Sequence, residues 1–130
     1  GWIGDDVLRS LYRIADLTVV PSLYEPFGLV ALEAMASGCP CIVSDTGGLR
    51  EVVPNDDVGL RVAVSDPRAL ADQMGLVLAN PALRFRIVTE AAEHIARFDW
   101  GEVAARTAEL YSELTGRVPA AMPVGATTDG

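Results

Sequence analysis

The sequence predicts an α/β chain: a three-stranded parallel sheet amounting to about half of a doubly wound domain, with further helices C-terminal to it. Three observations carry this expectation. Short apolar runs rich in β-branched residues recur at 17–20, 41–44 and 60–63, with the length and composition of buried strands. Helical stretches lie between consecutive runs, and strands joined by helical crossovers pair parallel with right-handed connections. After the third run come three more helical stretches with no strand among them.

Each element has its own local reason. The first ten residues read as a helix with no preceding strand, so the chain is expected to be a fragment. Leu17-Thr18-Val19-Val20 is the first strand. The stretch 28–37 is helical and is closed by Gly38 and Pro40, a glycine-then-proline stop. Cys41-Ile42-Val43-Ser44 is the second strand, a short helix over 48–53 ends at Pro54, and Leu60-Arg61-Val62-Ala63 is the third strand. Asp66-Pro67 opens the next helix, with Asp66 as N-cap and Pro67 in the first helical position, and Ala69, Leu70, Met74, Val77 and Leu78 form its apolar face. Asn80-Pro81 repeats that start before Leu83, Ile87, Val88, Ala91 and Ile95. Asp99 then caps a last helix with Trp100, Val103, Ala104, Thr107, Leu110, Tyr111 and Leu114 on one stripe. One partial domain is therefore expected over 1–115. From 116 to 130 the periodicity stops and Pro, Gly, Ala and Thr dominate, which predicts a disordered tail.

Composition narrows the function. The 130 residues carry a formal charge of −8, and all 10 basic residues are arginines scattered along the chain without a basic stripe. Nucleic acid is excluded as an expected partner. No apolar run approaches the roughly 20 residues of a membrane helix and no secretory leader is visible, so a cytoplasmic location is expected. Cys39 and Cys41 are too constrained for an ordinary bridge and too few for a closed zinc shell, and they are expected to be buried, reduced thiols. His94 is read as a surface residue of its helix. No metal site is expected.

Chemistry concentrates in residues 21–38, which run from a strand end through a loop to a helix start. If the strands are the fourth to sixth of a doubly wound sheet, this loop lies at the topological switch point, where such sheets bind ligands. Pro26 pushes Glu25 into extended backbone, which would hold that carboxylate at the mouth of the crevice. Phe27, Gly28 and Leu29 would point amides into the crevice, the means by which a helix N-terminus binds phosphate without a cationic side chain. Glu33 is the only charged residue of 28–37 and shares a helical stripe with Leu29, Leu32 and Ala36. A carboxylate buried there needs a partner, and the adjacent hydroxyls of a ribose would suit it. A Glu at the helix edge reaching solvent or an arginine, and a solvated loop carboxylate at Glu25, are the plain alternatives.

The two glutamates bracketing Pro26-Phe27-Gly28, followed by Glu33-Ala34-Met35-Ala36-Ser37-Gly38-Cys39-Pro40 and Thr46-Gly47-Gly48-Leu49-Arg50-Glu51, resemble the C-terminal donor-binding part of retaining glycosyltransferases of family 4 (glycosyl transferases group 1), which have the GT-B fold. The resemblance covers 1 to about 115, including Phe98-Asp99-Trp100, and looks most like bacterial glycogen-synthase-like α-glucan glucosyltransferases. It implies a Rossmann-like GT-B C-terminal domain and transfer of glucose from a nucleotide sugar, UDP- or ADP-glucose, to an α-glucan. It assigns Glu25 to the donor sugar as the catalytic contact and Glu33 to the ribose. The amides of Phe27, Gly28 and Leu29 go to the distal phosphate, and Thr46, Gly47 and Gly48 line the same crevice, although a turn needing positive φ explains those glycines equally well. No cofactor or catalytic metal is implied beyond the nucleotide-sugar substrate. The family's phosphate-clamping Arg and Lys and its acceptor-binding N-terminal domain lie outside this sequence, so the chain is not expected to turn over alone. Two other readings stay open: a family-4 transferase with another donor or acceptor, such as a mannosyl or trehalose-forming enzyme, and a non-catalytic nucleotide-sugar-binding module.

Overall fold

The structure is a computed structural model and describes residues 2–116. The elements run α1 (Asp5–Ile14), β1 (Thr18–Val20), α2 (Leu29–Ala36), β2 (Cys41–Ser44), α3 (Leu49–Val52), β3 (Leu60–Val62), α4 (Pro67–Ala79), α5 (Pro81–Ile95), a 3-10 turn (Ala96–Phe98) and α6 (Trp100–Thr115). The predicted tail lies, from residue 117 onward, outside the described residues. Two compact units are formed, one ending at Ile95 and the other beginning at Ala96.

In the first unit the three strands pair parallel in the order β1-β2-β3, with Thr18 opposite Cys41 and Ile42 opposite Leu60. Every residue of the central strand β2 is buried, as a parallel strand covered on both faces must be. Ile42 packs with Leu60, Val62, Val77 and Ile87, so one sheet face is closed by α4 and α5. Fully burying a side chain of that size stabilises the fold by about 1.5–3 kcal/mol. β2 has the expected bounds, and β1 and β3 are each one residue shorter than expected, β1 losing Leu17 and β3 losing Ala63.

Capping explains where the helices begin and stop. The Asp66 carboxylate accepts from the Ala69 amide at 2.9 Å, and the Asn80 side-chain oxygen accepts from the Leu83 amide at 3.0 Å. Asp99 accepts from the Gly101 amide at 2.8 Å. Each such cap contributes about 0.5–2 kcal/mol. α2 ends in a Schellman arrangement: Gly38, at φ +78°, donates to the Met35 carbonyl and Cys39 donates to that of Ala34, both at 3.0 Å.

One expectation needs correcting. His94, read as a surface residue, is only 7% exposed, because Ile87, Ala91 and His94 follow one another at helical spacing on the buried face of α5. α6 carries no buried residue, and Trp100 and Leu114 of its apolar stripe are exposed. Cys39 and Cys41 are free and buried as expected. Burial raises both thiols, Cys41 to about 12, so neither is ionised near neutrality. Among the described residues no helix is long and apolar enough to cross a membrane.

Candidate functional site

Two loops leave the C-terminal ends of β1 and β2 and lie against each other. The first runs from Pro21 to Gly28 and the second comprises Asp45 to Gly48. The Gly48 amide donates to the Glu25 carbonyl at 2.9 Å, and the Thr46 hydroxyl donates to the Leu23 carbonyl at 3.4 Å. A Cβ on Gly47 would collide with the Glu25 carbonyl oxygen, and one on Gly48 would stand 2.6 Å from the carbonyl oxygens of Pro26 and Phe27. Gly47 also sits at φ +47°. The glycine pair is thus required by two independent constraints, left-handed backbone at the first glycine and backbone-to-backbone contact at both. Arg50 braces the second loop, its Nε donating to the Asp45 carboxylate at 2.9 Å and its Nη2 to the Asp45 carbonyl at 3.1 Å.

The clasp fixes the main chain of Glu25, and its side chain is fixed by the following turn. Oε1 accepts from the Gly28 amide at 3.2 Å and from the Phe27 amide at 3.5 Å. Those two amides, expected to face a phosphate, here donate to the Glu25 carboxylate. Gly28 caps α2 in the left-handed region at φ +100°, and its missing side chain faces Leu49 and Val52 of α3. The glycine therefore serves close packing of the loop on α3. Leu29 opens the helix on the exposed side, and of the first four amides those of Ala31 and Leu32 donate to the Gly28 carbonyl at 3.0 and 3.2 Å, which leaves Leu29 and Val30 at positions where a helix supplies no acceptor.

Glu33 departs further from expectation. The buried face of α2 is Ala31, Ala34 and Met35, and the stripe of Leu29, Glu33 and Ala36 is exposed. Small residues turn inward because they let the helix approach its neighbours closely, so Glu33 has no desolvation to compensate. Its Oε2 accepts from the Tyr12 hydroxyl at 3.4 Å. Tyr12 is the one buried residue of α1. Burial, the neighbouring negative charge of Glu33 and the hydrogen bond to it all raise the phenol above its ordinary range. Glu33 and Tyr12 border an open cleft of about 320 Å³ between α1 and α2, shared with Arg9, Arg13 and Ser37. Tyr12, Arg9 and Arg13 escaped the sequence reading. Their signal was the amphipathic face of α1, which needs the position of α2 to be interpreted.

The structure brings Glu25, Phe27, Gly28, Thr46, Gly47 and Gly48 together in one clasp, and it sets Glu33 on the flank of α2 that faces α1. Carboxylate, loop and helix start at strand C-termini define an α/β domain of the kind that binds ligands at its strand ends. The profile of the family Glycosyl transferases group 1 matches residues 1–94, and the chain belongs to that family. It is 45% identical over 119 residues to the D-inositol 3-phosphate glycosyltransferase of Thermobispora bispora, covering 92% of this chain and 28% of that protein. It is 43% identical over 112 residues to the glycogen synthase of Mycobacterium tuberculosis, covering 85% of this chain and 27% of that protein. Among solved structures, the sucrose-phosphate synthase of Thermosynechococcus elongatus superposes with a TM-score of 0.79 at 41% identity, over 89% of this chain and 29% of that one. HepE of Anabaena, solved in complex with UDP-glucose, gives a TM-score of 0.75 at 26% identity, over 87% of this chain and 31% of that one. The chain thus spans less than a third of the length of these proteins. Its three-stranded parallel sheet with flanking helices is the architecture of its GT-B glycosyltransferase neighbours.

Proposed function

We propose that this chain is the donor-binding part of a retaining, family-4 glycosyltransferase that moves glucose from UDP- or ADP-glucose to an α-glucan. The observation that supports it most is the clasp, which gives Glu25 a fixed place at the strand ends. With Oε1 taken by two amides, Oε2 is the oxygen that would accept from hydroxyls of the donor sugar and follow charge developing at its anomeric centre. The distal phosphate then falls to the Leu29 amide and the first turn of α2, since a phosphate and the Glu25 carboxylate cannot share the Phe27 and Gly28 donors. Glu33 reads the ribose. The proposed enzyme is cytoplasmic, binds its acceptor through a further domain, and needs no metal, so chelation by EDTA leaves its rate unchanged.

A second reading, a transferase with another donor sugar or acceptor, draws support from the names of its relatives, which include a D-inositol 3-phosphate glycosyltransferase, a sucrose-phosphate synthase and a glycogen synthase. A donor and acceptor screen on the full-length polypeptide separates the two. UDP-glucose, ADP-glucose and GDP-mannose are each offered with glycogen, D-inositol 3-phosphate and fructose 6-phosphate, and the anomeric product is read by NMR. Glucose transfer to glycogen with an α-linkage is expected. Turnover on a small phosphorylated acceptor alone sustains the second reading and removes the first. Micromolar binding of a nucleotide sugar with no turnover on any acceptor points to a binding module.

A further inference from the structure

Glu33 lies on an exposed helix face, where a long carboxylate side chain samples several rotamers and loses their entropy when a ligand orders it. One group restrains it. The Tyr12 hydroxyl donates to Oε2 at 3.4 Å, from a ring that is only 7% exposed and anchors α1 against α2. The buried ring pins the position of its own hydroxyl, so the constraint is carried by packing and costs Glu33 little further ordering. A phenol in this setting also stays protonated, because burial and the adjacent carboxylate both raise it.

We propose that Tyr12 is a positioning residue for nucleotide recognition: by occupying Oε2 it aims Oε1 of Glu33 at the ribose diol, making α1 part of the donor site. This rests on the reading that gives Glu33 to the ribose. The Arg9, Arg13 and Ser37 side chains around the same cleft surround the pair without contributing a hydrogen bond to either carboxylate oxygen among the described residues.

The test uses Tyr12→Phe in the full-length polypeptide, which keeps the ring and removes only the hydroxyl. Binding of UDP or ADP, whichever is tighter, is compared with binding of its 2′,3′-dideoxy analogue, and kinetics are measured with the matching sugar nucleotide. The substitution is expected to weaken the normal nucleotide about three- to tenfold, as for one hydrogen bond, to raise KM for the donor, and to leave kcat within about twofold. Affinity for the dideoxy analogue should not change, and Tyr12→Phe should add nothing in a Glu33→Ala background. Because the diol-to-dideoxy ratio is internal to each preparation, it is independent of how much of the variant folds. Equal weakening of both nucleotides overturns the proposal in favour of a packing role. If Glu33→Ala weakens the nucleotide and Tyr12→Phe does not, only the role of Tyr12 falls. If Glu33→Ala itself has no effect, the ribose reading falls and this inference with it.

Discussion

Glu25 and Glu33 belong to one short segment, yet the fold holds them by opposite means. Glu25 is fixed by main chain: two amides of its own turn take Oε1, and the amide of Gly48 takes its carbonyl oxygen. Glu33 is held by one side chain, the Tyr12 phenol, on an otherwise exposed helix face. Backbone restraint is indifferent to side-chain identity at the partner but fails at once if a glycine gains a Cβ. Side-chain restraint is tunable by a single hydroxyl. The difference suits the proposed site, in which one carboxylate would meet a transition state in one geometry while the other would add affinity for a part of the donor that does not react.

The largest effect should come from breaking the clasp. Gly47→Ala drives a methyl group into the Glu25 carbonyl and places a side chain at φ +47°, so the loop carrying Glu25 must move. Displacements of about 1 Å at a reacting centre cost on the order of a hundredfold or more. We expect kcat/KM of the full-length polypeptide to fall at least that far while nucleoside diphosphate affinity changes less than about threefold, because Glu33 and Tyr12 are held elsewhere. A parallel fall in both quantities would mean that the two glutamates are not independently supported.

Next comes the carboxylate itself. Glu25→Gln retains an oxygen able to accept from the Phe27 and Gly28 amides but removes the charge, so it isolates electrostatics from position. A loss of about a hundredfold in kcat/KM is expected if the charge follows the anomeric centre. A loss under about threefold, roughly 0.65 kcal/mol, would remove the catalytic assignment and leave a structural carboxylate that ties its own loop.

Glu33→Ala is expected to act on binding instead. Nucleoside diphosphate affinity should weaken by about 1–3 kcal/mol for a lost charge-assisted hydrogen bond, with kcat nearly unchanged. Calorimetry with normal and 2′,3′-dideoxy nucleotide checks this. The two perturbations should not add, and full additivity would take the ribose away from Glu33.

The same contrast explains what could be read from the sequence. Strands, caps and helix ends were legible because their signals are local: Asp66-Pro67, Asn80-Pro81, Asp99 and Gly38 each act within a few residues. The Glu25 loop was half legible. Pro26 and Gly28 announced a constrained helix start, but that Gly47 and Gly48 exist to admit the backbone of Glu25, Pro26 and Phe27 is a contact across more than 20 positions that composition does not encode. The exposure of Glu33 stayed open because Leu29-Val30-Ala31-Leu32 is apolar all round, so periodicity alone cannot say which face of α2 turns inward. Close approach chose the alanines, and the stripe that seemed buried became the surface. His94 failed for the converse reason: a polar residue was assigned to the outside although its spacing from Ile87 and Ala91 placed it on the inner face.

The smallest effect sharpens the boundary of the site. Thr46 was expected to line the crevice, and its hydroxyl donates to the Leu23 carbonyl at 3.4 Å, a long bond at an exposed position. Thr46→Val keeps the β-branched shape and deletes that donor. The clasp retains the Gly48 amide on the Glu25 carbonyl at 2.9 Å, so the loop should hold, and a single exposed neutral hydrogen bond contributes no more than about 0.5–1.5 kcal/mol. Stability by denaturant titration should fall by less than about 1 kcal/mol, and kcat/KM should stay within about threefold. If Thr46 also touches the donor, the nucleotide sugar will lose more than about tenfold in affinity while the free nucleoside diphosphate does not, since only the sugar end reaches the strand-end loops in the proposed arrangement. That outcome would move the second loop from supporting Glu25 to contacting substrate, and would leave Glu33 and the first turn of α2 as the proposed donor contacts that stand outside the clasp.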